Sequence, residues 1–247
     1  MTDDLRIAMW SGPRNISTAM MRAWENRADC FVCDEPLYAH YLQQTGLDHP
    51  GAAEIIERHE TDWRKVVDDL TGPIPENRSV YYQKHMAHHM LPHIGREWLD
   101  GLAHVFLIRE PAAMISSYLV RRSEMTVADS GLPQQWEIFE RIGEALGATP
   151  PVIDSRDMLE HPRAMLETLC GRLGLEFSDR MLRWEAGRRA TDGVWAKHWY
   201  ETVEASTGFQ PYRPKNVSIP PEFGALVEEC EGYFSRLHAH RLVLPGA

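Results

Sequence analysis

The pattern that most constrains this chain is an alternation of short apolar runs with longer stretches of helical periodicity. The runs lie at residues 5–10, 30–33, 79–83, 103–108 and 151–154. Each is short and largely apolar, as a strand covered on both faces should be,. Between them, 18–26, 111–122, 162–173 and 221–237 read as helices. Proline opens the second, third and fourth of these, and Gly174 follows the third, which are start and stop signals with a steric basis. Strands interleaved with helices predict an α/β fold in three layers: a mostly parallel central sheet flanked by helices. In the last helix, Phe223, Leu226, Val227, Cys230, Tyr233, Phe234 and Leu237 share one face, which predicts packing. Residues 34–62 carry no clear period and read as a long loop with a short helix, the kind of segment that borders sites.

The length of 247 residues suits a single domain over 1–247,. Acidic residues exceed basic ones, 36 to 26, for a formal charge of -10. Such a surface repels nucleic acid and anionic membranes, so an anionic ligand must enter a locally basic pocket. The start, Met1-Thr2-Asp3-Asp4, leads into no long apolar run, and no stretch approaches the roughly 20 apolar residues of a membrane span,. Cys30, Cys33, Cys170 and Cys230 are too few and scattered for a disulfide framework,. A cytoplasmic protein is expected.

The first strand runs into Ser11-Gly12-Pro13-Arg14-Asn15-Ile16-Ser17-Thr18 and then into a helix. A strand–loop–helix of this length turns several unpaired backbone N–H groups toward one point, where the helix dipole also favours an anion. Gly12 permits a tight turn, Arg14 brings a full charge, and Ser17 and Thr18 bring hydroxyl donors. An ordinary turn with Ser17 or Thr18 as N-cap would use the same residues. The loop G-x-x-x-x-G-K-[ST] is not satisfied, because its second glycine and its lysine are missing, and this argues against ATP and magnesium chemistry,.

Residues 12–18 resemble the 5′-phosphosulfate loop of the sulfotransferase family, which runs Pro-Lys/Arg-Ser-Gly-Thr-Thr or similar. Three further blocks agree in order and spacing. Arg109, at the end of strand 103–108, and Ser117, eight residues on, resemble the family's 3′-phosphate signature. Residues 151–162 and 169–175 resemble its strand, turn and helix end. Residues 81–92 resemble the stretch that holds Lys-Thr-His in many members. Ungapped alignment on Leu91-Pro92 places His85 on the catalytic histidine and Gln83 on the lysine, with Lys84 one position late; His88 and His89 remain alternatives for the base. Departures from the family are Asn15 and Ile16 for small residues, Ala19 for an aromatic that helps hold adenine, and Ser155 for tyrosine. The closing Arg-Lys-Gly-x-x-Gly motif is missing, and Arg213 is the substitute candidate.

The resemblance implies a P-loop-like nucleotide-binding fold and an enzyme that moves a sulfuryl group from 3′-phosphoadenosine 5′-phosphosulfate (PAPS) to a hydroxyl or amine of a small molecule. It implies no metal. Gly12, Arg14, Asn15, Ile16, Ser17, Thr18, Arg109, Ser117 and Arg213 would hold the nucleotide. His85 would act as base, with Arg14 and Lys84 neutralising charge on the bridging oxygen. A homodimer is conceivable in such a fold. The rivals are a small-molecule kinase or nucleotide phosphotransferase using the same loop, and a sulfotransferase-like binding protein without turnover.

Other features read as packing. Cys30 and Cys33 have redox spacing, but positions i and i+3 of a strand face opposite ways. His85, His89 and His93 recur every four residues, a weak metal pattern that competes with the strand end,. Residues 194–200 are aromatic-rich and suit either the core or the wall of an acceptor pocket.

Overall fold

The structure is a computed structural model and describes residues 4–214 and 217–244. Its strands are β1 (Leu5–Ser11), β2 (Cys30–Asp34), β3 (Val80–Met86), β4 (Ala103–Ile108) and β5 (Val152–Asp154). They pair in the order β2-β3-β1-β4-β5, every neighbouring pair parallel. The helices are α1 (Ser17–Glu25), α2 (Tyr38–Thr45), α3 (Ala52–Arg58), α4 (Trp63–Thr71), α5 (Pro111–Leu119), α6 (Leu132–Leu146), α7 (Ser155–Glu160), α8 (Pro162–Arg172), α9 (Ala196–Trp199), α10 (Glu201–Glu204) and α11 (Gly224–His238). All the expected strands form, within one residue at their ends except β3, which runs three residues past its expected end to Met86.

Strand alternation sorts side chains into two cores. Ile7 and Met9 of β1, Tyr82 of β3 and Leu107 of β4 join one, with Met20, Met21 and Trp24 of α1 and Met165, Leu166 and Leu169 of α8. Ala8, Trp10, Tyr81 and Phe106 join the other, with Val66 and Leu70 of α4, Met114 and Ile115 of α5, and Ile138 and Phe139 of α6. This is the expected three-layer arrangement. Trp24 is fully buried and stacks on Tyr82 with ring centroids 5.3 Å apart; truncation of such a residue to alanine costs about 3–5 kcal/mol. Cys30 packs in the first core and Cys33 against the second, as the strand period requires.

Several regions differ from the sequence reading, among them the helix α4 at Trp63–Thr71, which was not anticipated. The segment after β2 is mostly helical, forming α2 and α3. The helix α6 was not anticipated. It starts from Gly131 in a left-handed conformation (φ 70°), with proline in its first turn, and buries Leu132, Ile138, Phe139 and Ile142. Of the expected face of α11, Cys230 and Leu237 are fully buried and Leu226, Val227, Tyr233 and Phe234 pack half-buried against the second core, Phe234 also lining the cleft described below.

β1 occupies the middle of the sheet. The chain leaves it toward β2 on one side, then crosses from β3 to β4 on the other. In open parallel sheets the crevice at such a reversal, beyond the C-terminal strand ends, is where ligands bind.

Candidate active site

The loop between β1 and α1 sits at that reversal, and internal ties fix its shape. The Asn15 side-chain amide donates to the Leu107 carbonyl of β4 (3.0 Å), and its oxygen accepts from the Ile16 N–H (2.8 Å). Arg14 takes a left-handed conformation, φ 54°, which is uncommon and mildly strained for a non-glycine residue. Gly12 does not face the cleft. A Cβ there would stand 2.3 Å from the Ser130 carbonyl oxygen, so glycine is needed for close packing. Asn15, too, is spent on bracing rather than on a free ligand contact. The N-cap of α1 is Ile16, with no side-chain cap and no acid in the first turn. The first amides of α1 therefore lack a side-chain acceptor, and they meet the cleft beside Ser17 and Thr18,.

Arg14, Arg109 and Ser117 converge next to these amides. Arg14 Nε donates to Ser117 Oγ (3.1 Å), and the Arg109 guanidinium donates to the Arg14 carbonyl. Among the described residues neither arginine forms an ion pair. Burial, then Arg121, pushes the Arg14 guanidinium below its usual value. Burial, then Arg14, does the same to Arg109, and Glu110 only partly offsets it. Cations held together against their own repulsion, in a chain of formal charge -10, mark a place made for an anion.

These groups open into a cleft of about 1090 Å³. On its floor, Lys84 is 1% exposed and donates to Asp34 (2.8 Å), Glu35 (2.6 Å) and Tyr200 (2.7 Å). Burial opposes the Lys84 charge, but Asp34, Glu35 and Tyr200 together outweigh it and hold the ammonium well above its ordinary value. Glu35 is also non-glycine with positive φ, 43°. Burial, reinforced by Asp34, raises its carboxyl above the usual range despite Lys84.

Farther along, Tyr38, Tyr41, His49, His88, His89 and Tyr118 line the same cleft. Tyr38 stacks on His89 (4.8 Å between centroids) and hydrogen-bonds His49 Nδ1 (2.8 Å). Burial pushes His49 and His88 down to about 4 and His89 well down as well, so these imidazoles are neutral at pH 7.

Residues 5–218 match the family model described as Sulfotransferase domain. The chain belongs to this family. The Branched-chain-amino-acid aminotransferase-like proteins 2 and 1 of Arabidopsis thaliana are 33% and 32% identical to it over 234 residues, 95% of the chain. The chain spans only 41% and 42% of those proteins. In fold it is similar to the sulfotransferase domain of the Synechococcus PCC 7002 olefin synthase, with TM-score 0.55 and 18% identity, covering 99% of this chain and 97% of that one. It is likewise similar to the sulfotransferase domain of the curacin biosynthetic pathway, with TM-score 0.52 and 17% identity, covering 99% and 100%.

Within this sulfotransferase domain the expected base is displaced. His85 shares the parity of Tyr81 on β3, not that of Lys84, and so points into the second core. It stacks on Trp10 (4.4 Å between centroids), and Trp10 Nε1 in turn donates to His104 Nδ1 (2.9 Å). Burial and His104 push His85 down to about 3. Gln83 lies on the same hidden face and donates to the Leu70 carbonyl (2.8 Å). His85 thus lies outside the cleft and Lys84 reaches it, with its three donors all engaged.

Arg213 lines the cleft and is exposed, beside Tyr212, whose ring lies 5.0 Å from the Arg156 guanidinium carbon. The aromatic stretch divides, Trp195 entering the core while Trp199 and Tyr200 line the cleft. His85, His89 and His93 do not converge, since His93 meets His40 instead (2.8 Å). Glu35, Tyr38, Tyr41, His49 and Asp129 are cleft residues that motif matching did not single out. Glu35 could have been found from its place just beyond the C-terminal end of a parallel strand.

Proposed function

We propose that the protein transfers the sulfuryl group of PAPS to a hydroxyl or amine of a small molecule. The observation that carries this reading is the pair Arg14 and Arg109, gathered on Ser117 and the loop carbonyl with no ion-pair partner among the described residues, beside the uncapped start of α1. A nucleotide with phosphates at both its 3′ and 5′ positions suits such a site better than one with a single phosphate. When bound, PAPS supplies the sulfuryl group and leaves as 3′-phosphoadenosine 5′-phosphate (PAP).

Arg14 and the α1 amides are assigned to the 5′-phosphosulfate, and Arg109 and Ser117 to the 3′-phosphate, with Arg213 at the rim. Ser17 and Thr18 add hydroxyl donors, and Asn15 and Ile16 hold the loop. Glu35 is assigned the acceptor proton in place of His85. A carboxylate raised above its usual range is a stronger base at neutral pH than imidazoles lowered to about 4,. Lys84 positions Glu35 and offsets charge as the bridging bond breaks. Preorganised charge of this kind is the main source of rate in group transfer of anions.

The test is thermal stabilisation by PAP, 5′-AMP and ATP–Mg²⁺. PAP at a hundred times its dissociation constant stabilises by about 2.7 kcal/mol, and 5′-AMP at equal concentration stabilises less. Equal effects would remove Arg109 and Ser117 from the site, and a preference for ATP–Mg²⁺ would favour phosphoryl transfer.

A further inference from the structure

Beyond Glu35 the cleft holds two charges of opposite sign that the transfer chemistry leaves unused. Arg122 follows the end of α5, and Asp129 lies in the turn before α6; both line the cleft. Among the described residues neither forms an ion pair, with the other or with a third group. Arg122 donates to the Asp48 carbonyl (2.9 Å), and one Asp129 oxygen accepts from the Thr126 N–H and hydroxyl (2.8 Å each). Separate anchors thus hold them apart. Both nevertheless act on the same three side chains, Tyr41, His49 and Tyr118, with Arg122 favouring the ionised phenols and Asp129 opposing them.

Elsewhere in the cleft most charges lie beside a partner of opposite sign or within the positive patch for the nucleotide. Lys84 is neutralised by Asp34 and Glu35, Arg156 pairs with Glu160 and Arg241 with Asp157. Arg14, Arg109 and Arg121 form a largely positive patch for the nucleotide, with Glu110 beside Arg109. The Arg122–Asp129 region instead carries one open charge of each sign around aromatic rings. His49 and His88, neutral at pH 7 because burial lowers them, add hydrogen-bonding groups and no charge. A ligand that bears only an anion or only a cation leaves one of the two unanswered, and an uncharged ligand leaves both.

We propose that the acceptor is a small zwitterion, bound with its anionic group on Arg122 and its ammonium on Asp129 between the rings of Tyr41 and Tyr118. An ammonium beside a carboxylate and two phenol rings gains from both. This rests on the sulfuryl-transfer reading, because it assigns the other end of the same cleft.

Calorimetric binding to the PAP-loaded protein tests it with four probes that share one phenol: L-tyrosine, tyramine, 3-(4-hydroxyphenyl)propionate and 4-ethylphenol. L-tyrosine binds tightest, by about tenfold or more over either singly charged probe, the scale of one added charge-assisted contact. Asp129→Asn weakens L-tyrosine and tyramine only, and Arg122→Gln weakens L-tyrosine and the propionate only. Retained stabilisation by PAP shows that both variants are folded. The proposal is overturned if 4-ethylphenol matches L-tyrosine, if either variant weakens all four probes alike, or if no probe binds while PAP does. If PAP itself fails to bind, the underlying reading fails instead.

Discussion

Lys84 and His85 are neighbours on one strand, and the sheet sends them into opposite worlds. Lys84 enters the cleft, where Asp34, Glu35 and Tyr200 hold it charged although it is 1% exposed. His85, also 1% exposed, enters the second core, where Trp10 and His104 surround it and burial keeps it neutral. Burial is the same for both; what differs is the partners. A buried ionisable group beside opposite charge stays charged and can serve chemistry on anions, whereas one among rings discharges and serves packing. Strand parity, rather than residue type, thus decides which of two chemically promising side chains belongs to the site.

The largest expected effect would break this comparison if it failed. If Glu35 takes the acceptor proton as proposed, Glu35→Gln should lower transfer by about a hundred- to ten-thousandfold, the range for a positioned general base. PAP affinity should change little, since the base acts on the acceptor. His88→Ala and His85→Ala, assayed in parallel, should be milder in turnover. Should His88→Ala be the dead variant and Glu35→Gln active, the base is an imidazole of the turn after β3. Because burial raises the Glu35 carboxyl, the acid limb of the rate profile should lie above the ordinary carboxylate range, and Glu35→Asp should keep such a limb.

A smaller effect is expected on the nucleotide side. At the end of a strand, Arg109 reads from sequence as solvent-facing; in the structure it is half-buried and tied to the Arg14 carbonyl. Arg109→Ala should therefore weaken PAP binding by about 2–3 kcal/mol, the upper range for a charged hydrogen bond, through a lost phosphate contact and a loosened loop together. Binding of 5′-AMP should fall less. An equal loss for both nucleotides would mean that Arg109 acts only through the loop.

What could be read from sequence follows the strength of the local signal. Strands buried on both faces are largely apolar runs, so β1, β2, β3, β4 and β5 were legible, as was the loop at residues 12–18 that joins β1 to α1. The α6 helix was not, because its turn residues Gly131 and Pro133 resemble a loop and its apolar positions are interrupted by Gln134 and Gln135. Arg14, Arg109 and Ser117 were legible because each stands at a fixed offset from a strand end. That His85 faces the second core was not legible, because parity depends on register to a single residue and a shift of one reverses every side chain. Arg122, Asp129 and Tyr41 come from separate segments and meet only through the tertiary fold, which leaves no spacing to detect.

The smallest effect sharpens the comparison from the packing side. His85 titrates at about 3 in the folded chain, against about 6.5 when unfolded. Between those values the unfolded chain binds the extra proton, so the His85 contribution to stability is fully present above pH 6.5 and is lost as pH falls toward 3. The slope is about 1.4 kcal/mol per pH unit at most for one group. His85→Phe keeps a ring against Trp10 and removes the titration, so denaturant unfolding at pH 5 should show a smaller loss relative to pH 7.5 than in the parent protein. His49, His88 and His104, each lowered to about 4 by burial, keep titrating and bound the gain to one share among several. An acid limb unchanged in His85→Phe would mean that His85 is hydrated in solution. Loss of transfer at pH 7.5, with PAP binding intact, would return His85 to the reaction and break the assignment by parity.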